Sequence, residues 1–221
     1  MGGCTNCKGK SGCDDHKGQM MAGVDEALAR LYPTRTWGEV DDQIWDGLAE
    51  DELAGLADEL ASELRAATFV QPGDDDEPCD YIWVLCMGRT PCVIQVRDHG
   101  VAVPDEWSDA GPIQEMYLRV VVSQRARVAA VQQVAVEYTQ GLVRISPRAG
   151  VYDAPLLSRM QKLVAILPAY ELMHVDFGDI AHAPPGFHGG HWRDLYGAEP
   201  SIANYFFYPQ PTTMISTTVI E

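Results

Sequence analysis

The opening stretch MGGCTNCKGKSGCDDHKG constrains this chain more than any other. Cys4 and Cys7 are spaced C-x2-C, and Cys13 and His16 are spaced C-x2-H. No residue from 4 to 16 is strongly apolar, so the segment has nothing with which to build a core of its own. Its order must come from a ligated metal or from docking on the rest of the protein. The runs Cys-Thr-Asn-Cys-Lys-Gly and Cys-Asp-Asp-His-Lys-Gly echo each other. A C-x2-C turn lets two thiolates face one metal, and a glycine after the second ligand permits the positive φ that such a turn requires. Lys8, Lys10 and Lys17 favour the deprotonated thiolates. The expected ligands are therefore Cys4, Cys7, Cys13 and His16, in an N-terminal metal-binding loop spanning 1–18.

Two kinds of centre compete for this loop. Zinc accepts Cys3His ligation, but a small zinc knuckle usually carries an apolar residue in its loop, and this one has none. An iron–sulfur cluster tolerates a polar, glycine-rich loop, because the cluster is bulky and the remainder of the protein covers it. The spacing C-x2-C-x5-C over Cys4, Cys7 and Cys13 resembles the last three ligands of the cluster loop in the endonuclease III and MutY type DNA glycosylases. The resemblance covers the ten residues 4–13; the chain lacks that family's helix-hairpin-helix region and its first cysteine. It implies that this spacing can hold a [4Fe–4S] cluster, with Zn as the alternative.

At 221 residues the chain is long enough to bury one sizeable core. Its formal net charge of -16 argues against nucleic acid and against anionic membranes, both of which require basic footprints. Between 39 and 77 stand 14 acidic residues and one basic residue, Arg65. That stretch is expected to be either a solvated face or a docking surface for a protein partner with a basic surface. Six cysteines in a chain of this length do not mark a secreted disulfide scaffold. No charged and apolar leader precedes Cys4, and Asn6 stands where a myristoylation signal has Ser or Thr. No apolar run reaches the length of a membrane span. A cytoplasmic protein is expected.

Periodicity predicts helices over 18–32, from about Asp41, over 49–66 and over 153–167, the last opening on Asp153-Ala154-Pro155. Strands are expected at 81–86 and 92–97, paired as a hairpin, and at 115–123, 142–146, 171–177, 201–208 and 212–220. The segment 124–139 mixes both periods and leans to strand. Helices first, then mostly strands with one crossover helix, argue for an α+β fold with a mostly antiparallel sheet. The expected organisation is the loop 1–18, an acidic helical region 19–70 and an α+β body 78–221.

Two further groups bear chemistry. Cys79, Cys86 and Cys92 read either as small buried apolar residues or as additional ligands. His174, Asp176, His188 and His191 combine imidazoles with a carboxylate, the ligands of non-haem iron, manganese and zinc, yet lie in a stretch rich in Gly and Pro. No G-x-S-x-G, P-loop, dinucleotide fingerprint or H-E-x-x-H occurs. The expectation is a small iron–sulfur protein, more an accessory, regulatory or electron-transfer component than a stand-alone enzyme. It would serve a larger redox system, its partner being a redox enzyme or the machinery that assembles one. The alternatives are a zinc-stapled interaction protein without catalysis and a metalloenzyme using the histidine group.

Overall fold

The computed structural model describes residues 10–41, 43–73, 78–87, 95–97, 100–102, 113–139, 142–148, 153–207 and 215–218. In chain order the helices are α1 (Lys10–Leu31), α2 (Glu50–Leu64), α3 (Ala154–Ile166), α4 (Gly190–Tyr196) and α5 (Ile202–Phe207). The strands are β1 (Thr68–Gln71), β2 (Cys79–Met87), β3 (Gln95–Arg97), β4 (Gly100–Ala102), β5 (Ile113–Ser123), β6 (Val128–Thr139), β7 (Leu142–Arg148), β8 (Met173–Val175) and β9 (Ile215–Thr218). The fold is α+β, with a mostly antiparallel sheet in the order β1-β2-β5-β6-β7-β9.

The centre of the sheet is β5 against β6, with Val120 opposite Val131. Both strands are rich in β-branched residues, which fit a pleated surface buried on both sides. β6 is shared on its far side. Its second half pairs antiparallel with β7, and its first three residues pair parallel with β8. A parallel neighbour requires a crossover, and α3 supplies it.

Strand alternation sends side chains to two different cores. On one face Ile82, Val84, Leu118, Val120, Val122, Ala129 and Val131 meet α2 and α3. α2 brings Leu53, Leu56, Leu60 and Leu64 to that face, spaced to fall on one side of a helix. On the other face Tyr81, Trp83, Tyr117, Val121, Val134 and Ile145 meet α1 and α5. α1 buries Val24, Leu28 and Leu31 there, and α5 is buried along its whole length.

Two segments distant in sequence, 32–37 and 188–205, clasp each other. The Tyr32 hydroxyl donates to the Tyr205 carbonyl at 3.1 Å. Thr36 forms a parallel bridge with His188, in which Trp37 N donates to His188 O at 2.9 Å and His188 N to Arg35 O at 2.8 Å. The Trp37 ring packs edge-on against Trp192 and Tyr205.

Several expectations are corrected. α1 starts at Lys10, so 10–18 is helix rather than loop. No proline precedes Pro33, and a helix nucleated on the buried Val24 and Leu28 propagates toward its start at little cost per residue. No helix forms at Asp41, where the chain turns instead; Gly47 lies so close to Gln124 that a Cβ would come within 2.5 Å of its carbonyl oxygen. β2 pairs with β1 and β5, and β3, the described part of 92–97, pairs with β4. The stretch 201–208 contains the helix α5 rather than a strand, since periodicity does not separate the two for a short, fully buried run.

Candidate functional site

Cys13 and His16 lie one turn apart on α1. Residues at i and i+3 of a helix share one face of its backbone cylinder. The structure describes the backbone of 10–16; Cys4 and Cys7 lie outside the described residues. Further along, Gly23 permits close approach to Met173, whose sulfur lies 3.0 Å from where a Cβ would stand. Next to His16, Lys17 pairs with Asp179 at 2.5 Å. The start of α1 is thus tied to the turn that follows β8, although an exposed pair like this adds little stability.

The second cysteine group is divided by the sheet. Cys79 is fully buried on the α1 face, and its thiol donates to the Tyr81 hydroxyl at 3.2 Å. Cys86 packs against the α2 and α3 core. Burial pushes its thiol up, partly opposed by a backbone hydrogen bond from Leu118 and by Arg159. The two therefore do not converge, and the Cys86 environment suits a neutral thiol better than a thiolate. Cys92 lies outside the described residues.

The histidine group is likewise spread out. Met173 and Val175 face the α1 core, so alternation turns His174 to the opposite side of β8. Burial pushes the His174 imidazole below its ordinary value, partly offset by Asp176. The Asp176 carboxylate accepts from Gly178 N at 2.8 Å and so closes its own turn. His182, His188 and His191 are exposed, the last on α4. Among the described residues no three His, Cys, Asp or Glu side chains gather as a metal site.

Two other polar features emerge only in three dimensions. The first is a buried string on the α1 face of β5. Glu115, 1% exposed, accepts from the Tyr117 hydroxyl at 2.5 Å. Burial raises its carboxyl above the usual range, opposed by that hydrogen bond. One turn of the pleat further on, Arg119 donates from Nε and Nη2 to Gln132 Oε1 at 3.0 and 2.7 Å. Its guanidinium lies over the rings of Tyr81 and Trp83, at 4.7 and 4.9 Å from their centroids.

The second is a cleft of 880 Å³ beside the start of α2. Leu48, Leu53 and Val70 line its apolar part, and Trp45, Glu50, Asp80 and Arg127 its polar part. Arg127 grips both oxygens of Glu52 at 3.1 and 3.0 Å, which holds that carboxyl below its usual value. Arg125 lies over the Trp45 ring at 4.9 Å. The only sequence signals for the cleft were Asp80 at the head of an otherwise apolar strand and the acids around Trp45.

Compared with known proteins, the chain matches no family model, no curated protein and no solved structure.

Proposed function

We propose that this chain is a small iron–sulfur accessory protein of a larger redox system. In this reading Cys4, Cys7, Cys13 and His16 ligate a [4Fe–4S] cluster, and the acidic stretch 39–77 meets a protein partner with a basic surface. The observation that carries it is the one-turn spacing of Cys13 and His16 on α1, a helix whose far end is held by the core. A polar segment then needs no core of its own, because α1 supplies the rigid support. Three thiolates leave an oxidised cluster with a single net negative charge, and reduction adds another. Asp14 and Asp15, adjacent in sequence, oppose that second charge, while an imidazole in place of a fourth thiolate favours it. The net charge of -16 supports a protein partner over nucleic acid or membrane.

Anaerobic purification and reconstitution test the proposal. The expected product is brown, with a broad visible band and about four iron and four sulfide per chain. Cys4→Ser, Cys7→Ser and Cys13→Ser should each lose the cluster. His16→Cys should keep it at a lower potential. Iron-free, colourless protein after reconstitution overturns the cluster. The turn of α1 also favours a second reading, a zinc-stapled interaction protein without catalysis, because two ligands on one helical turn suit a single tetrahedral ion. One zinc per chain with no iron is its signature.

A further inference from the structure

We propose that the cleft beside the start of α2 binds a guanidinium group carried on an aliphatic chain. The site does not depend on the metal reading, since its described lining is drawn from between Trp45 and Arg127. Its volume of 880 Å³ falls within the range of small-ligand pockets, about 300–1,000 Å³.

Asp80 carries the argument. It is only 7% exposed and lines the cleft. Its Oδ1 accepts from Gly73 N at 3.0 Å and from Gln124 Nε2 at 2.9 Å, both neutral donors. Among the described residues no cation pairs with it. A carboxylate so buried without a counter-charge is costly, and a cation entering the cleft relieves that cost. The other acids sort themselves. Asp46 pairs with Arg30 at 2.5 Å and Glu52 with Arg127, which leaves Glu50 and Asp80 for an incoming cation.

The shape of the site selects among cations. Trp45, 59% exposed, stands at the rim with one ring face against Arg125. Leu53 and Val70 offer an apolar wall for a methylene stem. A planar guanidinium forks onto a carboxylate and stacks on an indole; a compact ammonium does neither as well. Glu52 and Trp45 already receive guanidinium groups in these two ways from Arg127 and Arg125. The same chemistry arrives on a free alkylguanidine or on an arginine side chain of a protein partner.

Calorimetric titration of the full chain with butylguanidinium and with a short capped arginine-bearing peptide tests the proposal, with neutral butylurea as control. Saturable binding of either cation and none of butylurea is expected. A tighter peptide assigns the group to a partner protein; equal affinity assigns it to a small molecule. Asp80→Asn keeps an acceptor for Gly73 and Gln124, so the fold should persist, and binding should weaken about ten- to hundredfold. Trp45→Ala, at an exposed position, should weaken it about two- to fivefold. Failure of both cations to bind, or undiminished binding by Asp80→Asn, overturns the proposal and leaves the metal reading untouched.

Discussion

The two faces of the central sheet are built from the same strands but carry different kinds of interior. Toward α2 and α3 the core is almost wholly aliphatic, with Leu56, Leu60, Leu118, Val120 and Leu163 fully enclosed. Toward α1 and α5 it is aromatic and partly polar: Trp83, Tyr117 and Tyr205 pack around a strand that also buries Glu115, Arg119 and, across from it, Gln132. Aliphatic burial is favourable and nearly non-directional. Buried polar groups repay their desolvation only in one geometry, so they discriminate between arrangements more than they stabilise any. The first face is held by aliphatic packing, while on the second directional contacts tie β2, β5 and β6 to one another.

The largest expected effect lies on the aliphatic face. Leu118→Ala should cost about 2–5 kcal/mol in urea denaturation, because the site is closed by α2 and α3 and cannot collapse easily. A loss below about 1 kcal/mol would mean that this face is no better packed than a surface. On the other face Arg119→Met should cost about 1–3 kcal/mol, since Gln132 Oε1 loses both of its guanidinium donors. Adding Gln132→Leu should recover most of that loss; a double variant as unstable as the sum of the singles would show that the polar pair is itself a source of stability. The smallest effect concerns Glu115, whose folded value is raised by burial. A raised carboxyl contributes stability that is fully present below the unfolded value of about 4.3 and is lost as the pH rises through the folded value. Glu115→Gln keeps an acceptor for Tyr117 and should remove that loss, making the variant relatively more stable toward neutral pH. Urea midpoints measured across the acid range check this, and parallel profiles for the two proteins would count against it.

The legibility of the sequence follows the same division. α2 was readable because its leucines recur on one side while acids fill the other. The crossover helix α3 announced itself through Asp153 and Pro155. β5 and β7 carry β-branched runs that read as strands, whereas β6 falls in 124–139, where both periods mix and the strand is only favoured. By contrast α5 is buried on every side, and a run with no polar face has no period to read. The false hairpin arose because β2 pairs with the strand before it, β1, and with the more distant β5, and a turn signal after β2 says nothing of either pairing. For the candidate metal centre, residue types and spacing came from the sequence, whereas the helical turn joining Cys13 and His16 did not. The separation of Cys79 from Cys86 needed the sheet, since only strand alternation sends them to opposite faces. The cleft was least visible, because Trp45 and Glu50, Asp80, and Arg127 come from three separate parts of the chain.

The clasp between segments distant in sequence bears on how the molecule is made. α1 and the residue after it are synthesised well before their partners: Asp179 lies 162 residues beyond Lys17, and Tyr205 lies 173 beyond Tyr32. At roughly 5–20 residues per second, translation of such a span takes on the order of ten seconds or longer. During that interval the cysteine-bearing segment has been synthesised while its mooring has not. A nascent chain would therefore present Lys17 and Tyr32 before the surfaces that hold them exist. Docking of α1 through these contacts is thus a late step in the making of the molecule.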